Sequence, residues 1–199
     1  MKFNDLRLKV KETGIFSFED IFKWFPDSHR QSVKNQLRDW VLKDYLLRLR
    51  KNLYFLKETE LKEEFVLANS LYKPSYVSLE SALNYYGIIP DVPFAVTSAT
   101  SKKTQEFKNQ FGLFLYRTLK PELFFGWQEI RVGKSQSYKI AKPEKALFDF
   151  IYLNQNSFGE NFPQEERFSL ESDFNWQEFK KYAFLVKTKK FKRLVEKLS

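Results

Sequence analysis

This sequence lacks several residue types and segments that whole classes of protein require. It has 199 residues and no cysteine, which excludes disulfides and thiolate metal sites and suits a reducing cytoplasm. A single histidine, His29, argues against a zinc site. No apolar run approaches the ~20 residues of a membrane-spanning helix. Residues 1–14 are charged throughout and lack the apolar segment of a signal peptide, so we expect a cytoplasmic protein with no membrane partner.

The motifs of common catalytic and phosphate-binding sites are missing as well. The patterns GxGxxG, GxxxxGK[ST] and GxSxG do not occur, and there are only six glycines in all. Glu144 and Asp149 could suggest a pair of catalytic carboxylates, but residues five apart on a helix diverge by about 140°. His29 has no companion nucleophile. We therefore expect no enzyme activity and no cofactor.

Positive charge is present in excess and is concentrated at the two ends of the chain. The net charge is +9, with 13 Lys and Arg against 7 Asp and Glu in residues 1–57 and 8 against 2 in residues 176–199. The middle is mildly acidic, with 13 against 16. Segregated basic surface is typical of proteins that bind polyanions, although a generally basic soluble protein is the simpler alternative.

Three helical patterns separated by short turns open the chain. The third, about residues 29–43, carries one apolar stripe formed by Val33, Leu37, Trp40 and Val41. Ser17 is expected to cap the second helix, and Asp27 or Ser28 the third. A short helix, a tight turn and then a basic helix follow the order of a helix-turn-helix.

Another face of the third helix groups the kinds of side chain that read a DNA major groove. These are Gln31, Lys34, Asn35 and Arg38, with Arg30 at the edge of the face. Gln and Asn can bond adenine, Arg can bond guanine, and Lys meets phosphate. A solvated helix face is the alternative interpretation, and the helix-turn-helix order favours DNA recognition over it.

A basic β-hairpin is predicted directly after this helix, from the segment LLRLRKNLYFL. Strand alternation places Arg48 and Arg50 on one face, and the turn falls at Lys51 and Asn52, where asparagine tolerates a positive φ. Such a hairpin acts as a wing that reaches adjacent phosphates or the minor groove. Residues 1–57 are therefore predicted to be a winged helix-turn-helix domain that binds double-stranded DNA.

Residues 58–199 have a different composition and are predicted to form a second domain. An acidic amphipathic linker helix is expected over residues 60–71. Several short segments rich in aromatic and β-branched residues then indicate a small, mostly antiparallel sheet with helices around it. The fold class is thus α+β. A final helix is expected at about residues 176–198, with a basic face that could contact flanking DNA, RNA or an acidic partner, or simply be solvated.

Long phrases of the second domain resemble the AbiEi family of antitoxins. They are KPSYVSLESALNYYGIIPDVPFAVTSAT (residues 73–100) and FGLFLYRTLKPELFFGWQEI…YKIAKPEKALFDFIYL (residues 111–153). The passage QLRDWVLKDYLLRLRKNLYFL also resembles the family's helix-to-wing segment, and the resemblance covers about residues 15–195. Where the family often has glycine after the recognition helix and at the wing tip, this chain has Asp44 and Asn52.

The resemblance implies a repressor of its own operon that binds inverted repeats. It also implies an antitoxin of a phage-defence (abortive infection) system, classed as type IV. The functional partner would be an AbiEii-like nucleotidyltransferase toxin, which the antitoxin need not bind in a stable complex. The alternatives are a stand-alone winged-helix regulator without a toxin, and a winged helix that serves protein contacts only.

Overall fold

The structure is a computed structural model that describes residues 1–159, 161–170, 172 and 174–198. Residues 160, 171, 173 and 199 of the predicted second domain lie outside the described residues. Helices surround two separate β-sheets, which confirms the α+β class. No helix in the described ranges is both long enough and apolar enough to cross a membrane.

The first 57 residues form a three-stranded antiparallel sheet with helices packed on it. Their elements are, in order, α1 (Phe3–Val10), β1 (Ile15–Ser17), α2 (Phe18–Trp24), α3 (Arg30–Leu42), β2 (Leu46–Arg50) and β3 (Leu53–Leu56). Strand β3 lies in the middle, between β1 and β2. The hairpin of β2 and β3 therefore supplies two of the three strands.

Local signals account for the limits of these elements, with one correction. The Ser17 hydroxyl accepts a hydrogen bond from the backbone N–H of Asp20 at 3.2 Å, and the Asp20 carboxylate accepts from the Ser17 N–H at 2.9 Å. This confirms Ser17 as the cap of α2. The expected cap of α3 at Asp27 or Ser28 is wrong, because His29 occupies the N-cap position and makes no side-chain cap bond. The Ser28 N–H instead donates to the Phe25 carbonyl within the preceding turn.

Two non-glycine residues take the left-handed conformation where the chain reverses direction around β2. Asp44 has φ 60° just after α3, and Asn52 has φ 62° at the tip of the hairpin. Asparagine and aspartate tolerate this conformation better than other side chains because they can hydrogen-bond locally. The positive φ predicted for Asn52 is confirmed.

The remaining elements build a six-stranded sheet with helices on both sides. They are α4 (Glu64–Leu71), β4 (Ser75–Val77), α5 (Leu79–Tyr85), β5 (Val96–Thr100), β6 (Gln105–Asn109), β7 (Gly112–Thr118), β8 (Trp127–Val132), β9 (Gln136–Ala141), α6 (Pro143–Asn154), α7 (Trp176–Phe184) and α8 (Lys189–Glu196). The strand order is β6-β7-β5-β4-β9-β8.

This sheet is mixed, whereas the sequence predicts a small, mostly antiparallel one. Strand β5 runs parallel to β7, and β4 runs parallel to β9, while the other three neighbouring pairs are antiparallel. The alternation of apolar residues indicates which face of a strand is buried but not the direction of its neighbour. Strand direction was therefore outside what the pattern could predict.

Helices cover both faces of the six-stranded sheet. Tyr116 on β7 donates its hydroxyl hydrogen bond to the Ala68 carbonyl of α4 at 2.6 Å. Tyr76 on β4 donates to Asp149 of α6 at 2.9 Å. Tyr116 lies opposite Ser98 of β5, and Tyr76 lies opposite Ala99, the next residue of the same strand. Because consecutive residues of a strand point to opposite faces, the two tyrosines lie on opposite faces of the sheet.

Helix α4 is a core element, which corrects the expectation of an acidic amphipathic linker helix over residues 60–71. The helix begins only at Glu64, and five of its eight residues are buried: Phe65, Val66, Leu67, Ala68 and Leu71. It packs against β4, β5 and β9. The acidic residues that suggested an exposed helix mostly precede it.

The two hydrophobic cores of the molecule meet at the β2–β3 hairpin. Leu46 and Leu56 belong to the first core, with the apolar residues of α1, α2 and α3. Leu49, Leu53 and Phe55 belong to the second core, with α4 and the six-stranded sheet. The hairpin therefore contributes apolar residues to both cores.

A buried polar network joins α6 to β4 and α5. The Asp149 carboxylate accepts hydrogen bonds from the Tyr76 hydroxyl at 2.9 Å and the Ser78 hydroxyl at 2.8 Å, and it pairs with Lys145 one turn earlier. Lys145 and Asp149 are both fully buried. Burial raises the pKa of Asp149 and lowers the pKa of Lys145, while the attraction between the two groups opposes both shifts.

We expect Asp149→Asn to lower the free energy of unfolding by about 3–5 kcal/mol, as removing one member of a buried ion pair typically does. Asparagine keeps the acceptor for Tyr76 and Ser78 but leaves the Lys145 ammonium without a counter-charge, 4.7 Å from the centre of the Phe148 ring. Urea denaturation of the purified chain measures the change.

The matched control is the double variant Lys145→Met with Asp149→Asn, which removes both charges and keeps an acceptor for Tyr76 and Ser78. It should be less destabilising than Asp149→Asn alone, because no unpaired charge stays buried. An Asp149→Asn protein as stable as the wild type would contradict this account of the pair.

Candidate nucleic-acid interface

Helix α3 separates an apolar face from a polar face, as its sequence predicts. Val33 and Leu37 are about 1% exposed and Trp40 is 9% exposed, so the stripe that they form faces the first core. Gln31, Lys34, Asn35 and Arg38 are all exposed. Four of the predicted site residues are thus brought together on one solvent-facing side of a single helix.

The polar face of α3 is lightly bonded within the protein. The Gln31 side-chain amide donates to the Asn35 amide oxygen at 3.3 Å, one turn away. The Arg38 guanidinium lies 3.7 Å from the carboxylate of Asp39, its neighbour in sequence. Lys34 makes no ion pair with any carboxylate of the described residues. These donors and acceptors are therefore available to an external partner.

Arg30 is also exposed, but its guanidinium is held by α2. It forms an ion pair with Glu19, and its second hydrogen bond to that carboxylate measures 3.2 Å. The guanidinium carbon lies 5.0 Å from the centre of the Phe18 ring and 4.7 Å from that of Phe22. The hydrogen bond to Arg30 lowers the pKa of Glu19. Arg30 thus ties the start of α3 to α2.

The prediction that Arg48 and Arg50 share one face of the hairpin is wrong. Arg48 lies opposite Tyr54 and Arg50 lies opposite Leu53, with an irregularity in the register at Leu49. Tyr54 and Leu53 are consecutive residues on β3 and point to opposite faces. An extra residue in one strand shifts the alternation by one, so the bulge turns Arg50 away from the side of Arg48.

The two arginines consequently have different surroundings. Arg48 is exposed, and its positive charge opposes the burial that raises the pKa of Tyr54. Arg50 is half-buried, and its Nε donates to the Leu71 carbonyl at the end of α4 at 2.6 Å. A further N–H of Arg50 donates to the Lys51 carbonyl at 3.0 Å. Arg50 therefore joins the hairpin to α4, and Arg48 stays on the open side.

At the tip of the hairpin, Lys51 is exposed beside Asn52. The predicted residues thus fall into two groups. One group has side chains that are directed to solvent and have no strong partner within the protein; its members are Gln31, Lys34, Asn35, Arg38, Arg48 and Lys51. Arg30 and Arg50 are held by the protein itself.

The sequence pattern missed the partners that hold these two arginines. Glu19 and the phenylalanines of α2 lie eight to twelve positions before Arg30. They belong to a different helix, so the periodicity of a single helix or strand does not predict that they contact Arg30. For Arg50 the missed feature is the bulge, which carries no glycine to mark it. Only the acidic and aromatic start of α2, FEDIF, offered a signal for the Arg30 contact.

The predicted C-terminal helix is two helices rather than one. α7 ends at Phe184, and α8 begins at Lys189. Phe191 and Leu194 of α8 are buried, and α8 packs against α6. The basic residues of α8 therefore lie on the side of the six-stranded sheet opposite to α4, not beside the β2–β3 hairpin.

Among the described residues, no group of three His, Asp or Glu side chains is placed to hold a metal ion. No protein-family model and no curated protein sequence matches the chain.

Proposed function

We propose that residues 1–57 are a winged helix-turn-helix that binds double-stranded DNA, with α3 in the major groove. The observation that carries the proposal is the exposed face of Gln31, Lys34, Asn35 and Arg38 on α3. The element order of helix, strand, helix, helix, strand, strand supports it, as does the position of β3 between β1 and β2.

The chemistry of this face suits a mixture of base and phosphate contacts. Gln31 and Asn35 can each bond the N6 and N7 edge of adenine, and Arg38 can bond O6 and N7 of guanine. Lys34 adds a phosphate contact, and Arg48 and Lys51 of the hairpin reach the phosphates alongside. Arg30 and Arg50 position α3 and the hairpin rather than contact the DNA.

We further propose that the chain is a cytoplasmic repressor of its own operon and an antitoxin in a phage-defence system. This step depends on the phrases that resemble AbiEi antitoxins, which imply binding to inverted repeats. They also imply that the chain counteracts an AbiEii-like nucleotidyltransferase toxin. The chain itself carries out no catalytic step in this proposal.

A stand-alone regulator without a toxin is the second candidate function. The exposed face of α3 favours it as strongly as it favours the antitoxin, because both require the same DNA contacts. The two differ only in whether the neighbouring gene encodes a toxin.

DNA binding should depend steeply on salt. If about six phosphates are neutralised, the affinity should fall by about three decades between 50 and 200 mM salt, because each contact releases condensed counterions. Gel shifts with a duplex from the chain's own promoter, at both concentrations, measure this. A salt-independent affinity, or no shift at all, would overturn the proposal.

Arg38→Ala should weaken binding to the promoter duplex by about 1–3 kcal/mol if Arg38 reads a base. The loss should be smaller on a random duplex of equal length, because only the specific contact is removed. Fluorescence anisotropy with both duplexes gives the two affinities.

The control for Arg38 is Arg131→Ala, which removes an equal charge from an exposed position on β8, outside the first 57 residues. It should leave both affinities unchanged. If Arg38→Ala lowers the affinity for both duplexes equally, Arg38 contacts a phosphate rather than a base. If Arg38→Ala and Arg131→Ala lower the affinity equally, only the net charge of the protein matters.

The antitoxin proposal predicts that the neighbouring gene product arrests growth when expressed alone, and that co-expression of this chain restores growth. A version with Arg38→Ala should still restore growth when both genes are driven from foreign promoters, because neutralisation does not then require operator binding. A harmless neighbouring product would leave the stand-alone regulator as the function.

A further inference from the structure

A cavity lies where the three-stranded sheet faces α4 and the six-stranded sheet. Its volume is about 660 Å³, within the range of small-molecule sites. The first 57 residues contribute Ser17, Arg50 and Leu53 to its wall. The rest of the chain contributes Tyr72, Lys102 and Phe107, among others.

Positive charge lines this cavity without matching negative charge. Arg50, Lys73 and Lys102 come from three separate segments of the chain, and Asp20 is the carboxylate among the lining residues. That carboxylate already accepts hydrogen bonds from Ser17 and forms an ion pair with Lys23. Neither Lys73 nor Lys102 makes an ion pair with any described carboxylate.

The donors of Arg50 are only partly used. Its Nε bonds the Leu71 carbonyl and one N–H of Nη1 bonds the Lys51 carbonyl, which anchors the guanidinium in place. A guanidinium has five N–H groups, so three remain for a ligand. A fixed guanidinium with free donors loses little conformational entropy when it binds an anion.

Neutral hydroxyl groups add to the wall on the side of the six-stranded sheet. Ser70 and Ser137 line this cavity and also a second one of about 340 Å³, which shares Lys73 with it. Ser75 lines the second cavity, and its hydroxyl is buried with no hydrogen-bond partner in the described part of the chain.

We propose that this inter-sheet cavity binds a small molecule through a phosphate group held by Arg50, Lys73 and Lys102. A phosphate monoester carries a charge of about −1.5 to −2 and several strong acceptor oxygens, which suits three cations from different directions better than one carboxylate does. The adjoining smaller cavity, whose wall includes Phe124 and Trp127, takes the remainder of the molecule.

The position of the cavity gives such a ligand a way to regulate DNA binding. A molecule that contacts both Arg50 of the hairpin and Lys102 of the loop after β5 bridges the part of the chain that carries α3 and the six-stranded sheet. This regulatory consequence rests on the proposed DNA-binding function, whereas ligand binding itself does not.

Isothermal titration calorimetry on the full chain, in phosphate-free buffer of constant ionic strength, tests the site. The probes are inorganic phosphate, adenosine 5′-monophosphate, and adenosine without phosphate. We expect both phosphate compounds to bind and adenosine to bind much more weakly. Lys73→Met and Lys102→Met should each weaken binding by about tenfold or more, the effect of losing one charge-assisted hydrogen bond.

The matched control is Lys103→Met, because Lys103 is an exposed lysine next to Lys102 whose side chain does not line the cavity. It should leave the affinity for phosphate unchanged. Failure of both phosphate compounds to bind, equal binding of adenosine, or equal weakening by Lys103→Met would each overturn the site.

Anisotropy with the promoter duplex separates this proposal from the proposed function. If the chain binds phosphate but not DNA, the proposal of the phosphate site stands and the proposed DNA-binding function is wrong. If Lys73→Met and Lys102→Met weaken DNA binding in the absence of any ligand while Lys103→Met does not, the cavity is part of the DNA interface, and the small-molecule proposal is wrong.

Discussion

The β2–β3 hairpin contributes apolar residues to both hydrophobic cores, and the relation between the two sheets depends on this shared packing. Leu46 and Leu56 pack under the first three helices, while Leu49, Leu53 and Phe55 pack against α4 and the six-stranded sheet. Because one pair of strands contributes to both cores, the exposed face of α3 is held in a defined relation to the second sheet. A hairpin that served only as a mobile wing would not need an apolar residue on each face.

The same constraint divides the basic residues of the N-terminal unit between two tasks. The irregularity at Leu49 leaves Arg48 in solvent and turns Arg50 toward the carbonyl of Leu71. Arg30 is likewise occupied by Glu19 and two phenylalanine rings. Net positive charge therefore overstates the number of groups that can meet a polyanion. The same irregularity brings Arg50 to the wall of the inter-sheet cavity.

Local patterns predicted the features of this fold that depend on short stretches of chain. The apolar stripe of α3, the Ser17 cap and the positive φ of Asn52 each follow from residues within a few positions of one another. The burial of α4, the parallel pairing of β5 with β7 and the partner of Arg30 depend on contacts between distant segments. Strand alternation could not reveal the bulge at Leu49, because one extra residue changes the register without changing the residue types.

The two phrases that resemble AbiEi antitoxins meet in one buried network, so they share the core of the predicted second domain. Ser78 and Tyr76 from the first phrase bond Asp149 from the second, and the Thr97 hydroxyl donates to the Ser78 carbonyl at 2.8 Å. Side chains that are fully buried among one another report how the domain folds rather than what its surface binds. For the proposed antitoxin function, we therefore expect the residues that contact a toxin to be exposed and to lie outside this network.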